Sequence, residues 1–305
     1  MVTVSASAAY HPVLEDNGFL HVRGAFSAED ARSVSDLVWE GYAQKHGVRR
    51  EQTDGCYTKT GSGVRLYGPP PAELKQSIEF QALVKSVLAA VDKEFGAGKW
   101  QIVARQSATI FVNYPNICGS WTVPTTWHSD FPQDPEDPVA KVLYVFAFLE
   151  TLEPGGGGTM LIQGSSLRAQ SEDVKHCMGE GVTISETRSE LFMTALAEKE
   201  VWFRDLFGPV GGGSKRSSNY KHLCNEKTSI ERVQRFMLDG TVSAGISMRV
   251  VELLGNAGDF VFWDPRCLHS PSNNRSSSPR TVIRFRLDRV LVLPEIEALG
   301  CGRDA

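Results

Sequence analysis

The chain has 305 residues, 41% hydrophobic and 22% charged, with 32 basic against 36 acidic residues for a net charge of −4. A chain of this size buries a substantial core, and neither sign of charge gathers into a long block, which argues against nucleic acid and membrane and for a small-molecule partner. The cysteines, Cys56, Cys118, Cys177, Cys224, Cys267 and Cys301, are scattered without a C-x-x-C pair, so neither a zinc cluster nor a disulfide framework is expected. No run approaches the ~20 apolar residues of a membrane span, and "MVTVSASAAY" lacks the basic and apolar segments of a leader, so cytoplasmic residence is expected.

In chain order, "GFLHVRG" reads as a short strand. Ser27 then opens a helix with Asp30 three residues on, a capping-box start, followed by apolar positions at Val34, Leu37, Val38 and Tyr42. After three prolines at 69–71, "FQALVKSVLAAVDKEFG" has helical spacing and ends at Gly96. Residues 12–97 are thus predicted as a mainly helical layer.

From residue 100 the period changes. "WQIVARQSATIFVNY" and "AKVLYVFAFLE" are rich in β-branched and aromatic residues and too short for helices between their breakers. "TLEPGGGGTMLIQGSS" reads as a flexible glycine-rich hairpin or loop leading into another strand. No Lys-Ser/Thr follows the glycines, so they are not a phosphate cradle. Residues 165–245 revert to helical patterns, interrupted by "GPVGGGSKRSSN", which reads as a mobile loop. Strands resume in "MRVVELLGNAGDFVFWDP" and "RTVIRFRLDRVLVL". The expected architecture is one domain over 1–305: an antiparallel β core from 100–165 and 246–295, split by a helical insertion or lid at 165–245.

"TTWHSDFPQ" sets His128 and Asp130 two apart. By itself the pair leaves two readings open, a metal clamp or two polar residues in a turn. Strand positions i and i+2 share a face, so the two side chains can grip one ion if the segment is extended. "GDFVFWDPRCLHSPSNNRSSSPRTVIRF" supplies His269 at the end of an apolar strand, a candidate third ligand. Two histidines and one carboxylate on adjoining positions are the arrangement non-haem Fe(II) uses while leaving other positions open. Eleven residues on, Arg280 starts the last long strand. There Arg280, Val282, Arg284 and Arg286 share one face, and Ile283, Phe285 and Leu287 the other, which suits packing on helices. A guanidinium on the even face can hold a carboxylate in a bidentate pair. Arg284 and Arg286 are expected as wall ion pairs or solvated groups, and Trp127 and Trp263, beside the ligands, as either cavity wall or core.

"HSD", then "GGGGTMLIQGS", then "GDFVFWDPRCLHSPSNNRSSSPR" are similar in order and character to the motifs of the phytanoyl-CoA dioxygenase family of Fe(II)- and 2-oxoglutarate-dependent oxygenases. The resemblance runs from about residue 12 to 290. It implies a double-stranded β-helix, or jelly-roll, with Fe(II) held by His128, Asp130 and His269. It also implies 2-oxoglutarate on the iron with its far carboxylate on Arg280, and Phe146 as the aromatic beside the co-substrate. Dioxygen would be the second co-substrate and hydroxylation of an unactivated C–H bond the default outcome, with succinate and CO2 released. Desaturation, epimerisation and ring formation are alternatives on the same fold, and a non-catalytic metal-binding barrel is an alternative of another class. A halogenase normally lacks the carboxylate, so Asp130 argues against it. One departure is Pro271, where members often carry Ser two residues past the distal histidine.

Overall fold

The computed structural model describes residues 11–47, 49–51, 65–102, 108–115, 121–130, 141–171, 173–174, 185–208 and 226–290. The order is α1 (Pro12–Asn17), β1 (Phe19–Val22), α2 (Ala28–His46), β2 (Arg65–Gly68), α3 (Ala72–Gln76), α4 (Ile78–Phe95), β3 (Trp100–Ile102), β4 (Ala108–Asn113), β5 (Val142–Phe148) and β6 (Thr159–Ile162). It continues with α5 (Ser165–Ala169), α6 (Ser185–Lys199), α7 (Val201–Phe207), α8 (Glu226–Val233) and a π-helical turn (Gln234–Asp239). The chain then runs through β7 (Thr241–Ser243), β8 (Ile246–Met248), β9 (Val250–Glu252), β10 (Phe260–Trp263), β11 (His269–Pro271) and β12 (Arg280–Arg289).

The strands form a seven-stranded antiparallel sheet in the order β1-β10-β5-β12-β4-β2, with β3 also on β12, and a three-stranded sheet β11-β6-β9. The two are packed as a jelly-roll sandwich. Its interior contains Tyr144, Phe146, Phe148, Val261, Trp263 and Val282 from the large sheet with Leu161 and Leu253 from the small one.

The outer face of the large sheet is covered by the first helices. The cap of α2 is as the sequence predicts: the Ser27 hydroxyl accepts the Asp30 N–H at 3.0 Å and donates to the Asp30 carboxylate at 2.7 Å. A cap not foreseen, Ser77, closes α4 through the Phe80 N–H. Val34 and Val38 of α2 and Leu83, Val87 and Val91 of α4 then bury against Ile283, Phe285 and Leu287, the odd face of β12. Because helices cover one side and the small sheet the other, every residue of β5 is buried.

The helical insertion covers the outer face of the small sheet. Phe192, Leu196, Phe203 and Phe236 share one core with Met160, Ile162, Met248 and Val250. The loop "GPVGGGSKRSSN" lies outside the described residues apart from Gly208.

Two expectations are revised. The four glycines at 155–158 are tightly packed. The Glu252 carboxylate accepts the N–H groups of Gly155 and Gly158 at 2.8 Å each, and Gly157 has φ +88° with no room for a Cβ, which would lie 2.3 Å from Asn113 Nδ2. Second, β2 was not foreseen. It is four residues long and is stabilised as an edge by β4 rather than by a pattern of its own.

The two faces of β12 predict different responses. Phe285→Ala, at a fully buried position, should cost about 3 to 5 kcal/mol in chemical denaturation. Arg286→Ala, which removes a half-buried pair with Asp288, should cost roughly 1 kcal/mol or less.

Candidate active site

His128 and His269 face each other through an isolated antiparallel bridge: the His128 N–H donates to the His269 carbonyl at 3.1 Å, and the His269 N–H to the His128 carbonyl at 2.8 Å. Asp130 follows in a bend, its N–H on the Pro265 carbonyl at 3.1 Å. The segment therefore pairs as a strand would only at the single bridge, at His128, and turns at Asp130.

The side chains nevertheless converge. His128 Nε2 lies 3.5 Å and His269 Nε2 3.7 Å from Asp130 Oδ1, and the two ring centroids are 4.2 Å apart. Among the described residues this is the one cluster of three such groups, with ligand atoms all within 4.8 Å of one another. The His269 Nδ1 sits 2.9 Å from the Cys267 carbonyl, so the ring is the Nδ1–H tautomer and its Nε2 presents a lone pair toward Asp130. The second oxygen of Asp130 is 3.4 Å from Arg284 Nη1. The Arg284 guanidinium lies 4.3 Å from the ring centroid of Tyr144, whose phenol hydrogen-bonds Asp130.

The electrostatics set the protonation states of these groups. Burial alone would push the Asp130 carboxyl up. The His128 hydrogen bond and the positive charges of His269, His128 and Arg284 outweigh it and bring the carboxyl down to about 2. Burial, reinforced by His128, takes the His269 imidazole down to about 4. At neutral pH the cluster thus contains an ionised carboxylate beside a neutral, deeply buried imidazole, the protonation states metal ligands require.

The three groups open into a cavity of about 290 Å³ whose lining includes Arg280, Asn113, Phe111, Phe146, Trp263 and Tyr67. Arg280 is 5.8 Å from the Phe146 ring centroid and donates to the Gly157 carbonyl at 2.8 Å. Asn113, its partner in the β4–β12 ladder, donates to the same carbonyl at 3.2 Å. Thr159 and Pro271, paired across the β6–β11 ladder, also line the cavity.

Structure thus brings His128, Asp130, His269, Arg280 and Phe146 to one space. Trp263 is cavity wall, 4.8 Å from the His269 ring, whereas Trp127 is core among the insertion helices. No described residue of 165–245 lines the cavity, so the described helices of the insertion do not lie across its mouth as a lid would. Sequence reasoning missed Asn113, Tyr144 and Thr159. Each is an ordinary strand residue that gains its place from a ladder partner, a signal no spacing rule contains.

The sequence matches the phytanoyl-CoA dioxygenase (PhyH) family over residues 14–282. The chain belongs to that family and is an oxidoreductase of the dioxygenase class.

No curated protein matches the sequence. Among solved structures, the chain is similar to the epimerase SnoN in complex with Fe3+, alpha ketoglutarate and nogalamycin RO, at 17% identity over 95% of this chain and 89% of that one, with a TM-score of 0.48. It is also similar to SnoK, a non-heme alpha ketoglutarate dependent carbocyclase from nogalamycin biosynthesis, at 15% identity over 90% and 81% and a TM-score of 0.46. HygX from Streptomyces hygroscopicus, with nickel and 2-oxoglutarate bound, matches at 12% identity over 90% and 84%, with a TM-score of 0.45.

The burial of His269 has a measurable consequence. In the metal-free protein its imidazole should titrate near pH 4 by proton NMR, whereas in the unfolded chain it takes up a proton near 6.5. Between those values the unfolded state binds more protons, so stability is lost as pH falls from about 6.5 to about 4. His269→Gln should flatten that part of the profile. A His269 titration near 6.5 would contradict its placement.

Proposed function

We propose that the protein is an Fe(II)-dependent dioxygenase that uses 2-oxoglutarate and dioxygen to hydroxylate an unactivated C–H bond of a small-molecule metabolite, releasing succinate and CO2. The observation that carries this reading is the convergence of His128, Asp130 and His269 beside Arg280 in one cavity.

The donor set suits the metal. Two nitrogens and one carboxylate oxygen are borderline-to-hard ligands of the kind Fe(II) accepts, and they occupy one side of a point in space, leaving other positions open. A metal about 2.1 Å from each ligand atom sets neighbouring ligands roughly 3 Å apart. The 3.5 and 3.7 Å separations need only a small contraction to meet that. When bound, Fe(II) with 2-oxoglutarate and dioxygen supplies an oxidant able to take hydrogen from an unactivated C–H bond.

The chain's own residues do the rest. His128, Asp130 and His269 would hold the metal, with Arg284 on the second oxygen of Asp130 and the Tyr144 phenol on the same carboxylate orienting that ligand. Arg280, which lines the cavity and is tethered at one Nη by the Gly157 carbonyl, would hold the far carboxylate of 2-oxoglutarate. Thr159 offers the hydroxyl that Pro271 cannot, from the opposite position of the ladder. Phe146, Phe111 and Trp263 exclude water from the reacting space, which strengthens every charge interaction inside it.

With Fe(II), 2-oxoglutarate and oxygen, the purified protein should form some succinate even without its true substrate, and His128→Ala or His269→Ala should abolish it. Undiminished succinate in both variants removes these residues from the metal site. With the substrate in hand, a product that gains one oxygen atom supports hydroxylation, whereas unchanged mass or loss of two hydrogens assigns epimerisation, or desaturation and ring closure. Bound iron with no succinate across a broad substrate panel would leave a non-catalytic module.

Arg280→Ala should weaken 2-oxoglutarate binding by about 100-fold or more, since losing one member of a buried charged pair costs about 3 to 5 kcal/mol. Arg284→Ala should leave 2-oxoglutarate affinity within a few fold and weaken metal retention instead, because its partner is Asp130. The reverse outcome in a titration of the two variants would exchange their roles.

A further inference from the structure

The segment that carries His128 and Asp130 belongs to neither sheet. Among the described residues its ties to the β core are the reciprocal bridge with His269, the bond from Asp130 N–H to Pro265, and the contacts of the Asp130 carboxylate with Arg284 and Tyr144. These contacts fall at His128 and at Asp130, and none of them reaches the Ser129 N–H that lies between the two side chains.

The insertion supplies what the sheets do not. The Ser189 hydroxyl on α6 accepts the N–H of Ser129 at 3.0 Å, and both residues are buried. Ser129 is the residue between the two candidate ligands. Fixing its peptide fixes the backbone on either side, and with it the directions in which the His128 and Asp130 side chains leave the chain. Upstream, the buried Arg232 of α8 donates to the carbonyls of Val123 and Pro124 at 3.1 and 3.2 Å, and to those of Asp205 and Leu206 at 2.9 and 3.0 Å. The latter two carbonyls belong to the last turn of α7, where helical partners run out. One planar guanidinium therefore joins α8, the end of α7 and the segment that leads to His128. Between these two anchors Trp127 is buried in the same apolar cluster as Phe192 and Leu196, with its indole N–H on the Pro124 carbonyl at 3.0 Å.

We propose that Ser189 and Arg232 are positioning residues for the His128–Asp130 half of the metal site, so that the helical insertion is a structural arm of the metal centre. This rests on the reading of His128, Asp130 and His269 as the ligands. Arg232 orders the approach, Trp127 pins it, and Ser189 sets the peptide between the ligands. His269, on β11, is held by the β6 ladder.

The test is calorimetric titration of the metal-free, full-length protein with Co(II), in wild type, Ser189→Ala, Ser189→Thr, Arg232→Lys and His128→Ala. Removing a group that orients a ligand typically weakens metal binding about 10- to 100-fold. Ser189→Ala should therefore bind Co(II) roughly 10-fold more weakly, with its thermal midpoint before metal addition close to wild type and faster hydrogen exchange at the Ser129 amide. Ser189→Thr, which keeps the hydroxyl, should return to within a few fold of wild type. Arg232→Lys keeps the charge but not the fork, and should also weaken Co(II) binding. Wild-type Co(II) affinity in Ser189→Ala and Arg232→Lys, with binding lost in His128→Ala, would overturn the inference while leaving the ligands in place. Binding retained in His128→Ala would instead overturn the ligand assignment. An affinity loss in Ser189→Ala that Ser189→Thr does not recover would also overturn the inference.

Discussion

The site depends on two backbone hydrogen bonds. His128 and His269 exchange N–H···O=C bonds across a single bridge, and this closure brings the H-x-D segment against the end of β11. A non-local contact of this kind pays a large loop-closure cost before it returns anything. It is affordable because the intervening chain is folded on both sides of it: β5 is sandwiched in the large sheet, β6 pairs β11, and the insertion packs over the small sheet. The two imidazoles stand 4.2 Å apart as a consequence of sheet topology.

The same topology divides the work among the arginines of β12. At about 3.3 Å per residue, Arg280 and Arg284 are roughly 13 Å apart along the strand, yet both line one cavity. They differ in what each meets. Arg280 is beside the glycine run, where the Gly157 carbonyl fixes it, and Gly157 can approach because its position has no Cβ. Arg284 meets Asp130 and the faces of Tyr144 and Phe111. Arg286 closes on Asp288 two residues along its own strand. Three identical side chains on one face thus take three environments.

The glycine run shows how a local reading can be correct in kind and incomplete in consequence. Four glycines without a following Lys-Ser/Thr are not a phosphate cradle, and they do form a connection into β6. Their packing comes from Glu252, which takes the N–H groups of Gly155 and Gly158, and from Asn113, which shares the Gly157 carbonyl with Arg280. Those partners are far away in sequence, so flexibility was the reading that composition supported.

The sequence by itself determined what depends on near neighbours. The Ser27 cap, the change from helical to strand period near residue 100, and the split of β12 into a helix-packed odd face and a cavity-facing even face follow from propensity and alternation, which act over a few residues. The order H-x-D, glycine run, distal histidine, arginine was also legible, since it is a linear pattern. Tertiary structure decided which side chains share a space. It put Asp130 between two histidines and Arg284, made Trp263 a wall and Trp127 a core residue, and laid the described insertion helices on the back of the small sheet instead of over the cavity. Each of these is settled by which surfaces bury one another and which distant backbone groups pair, and those energies arise only once the layers have come together.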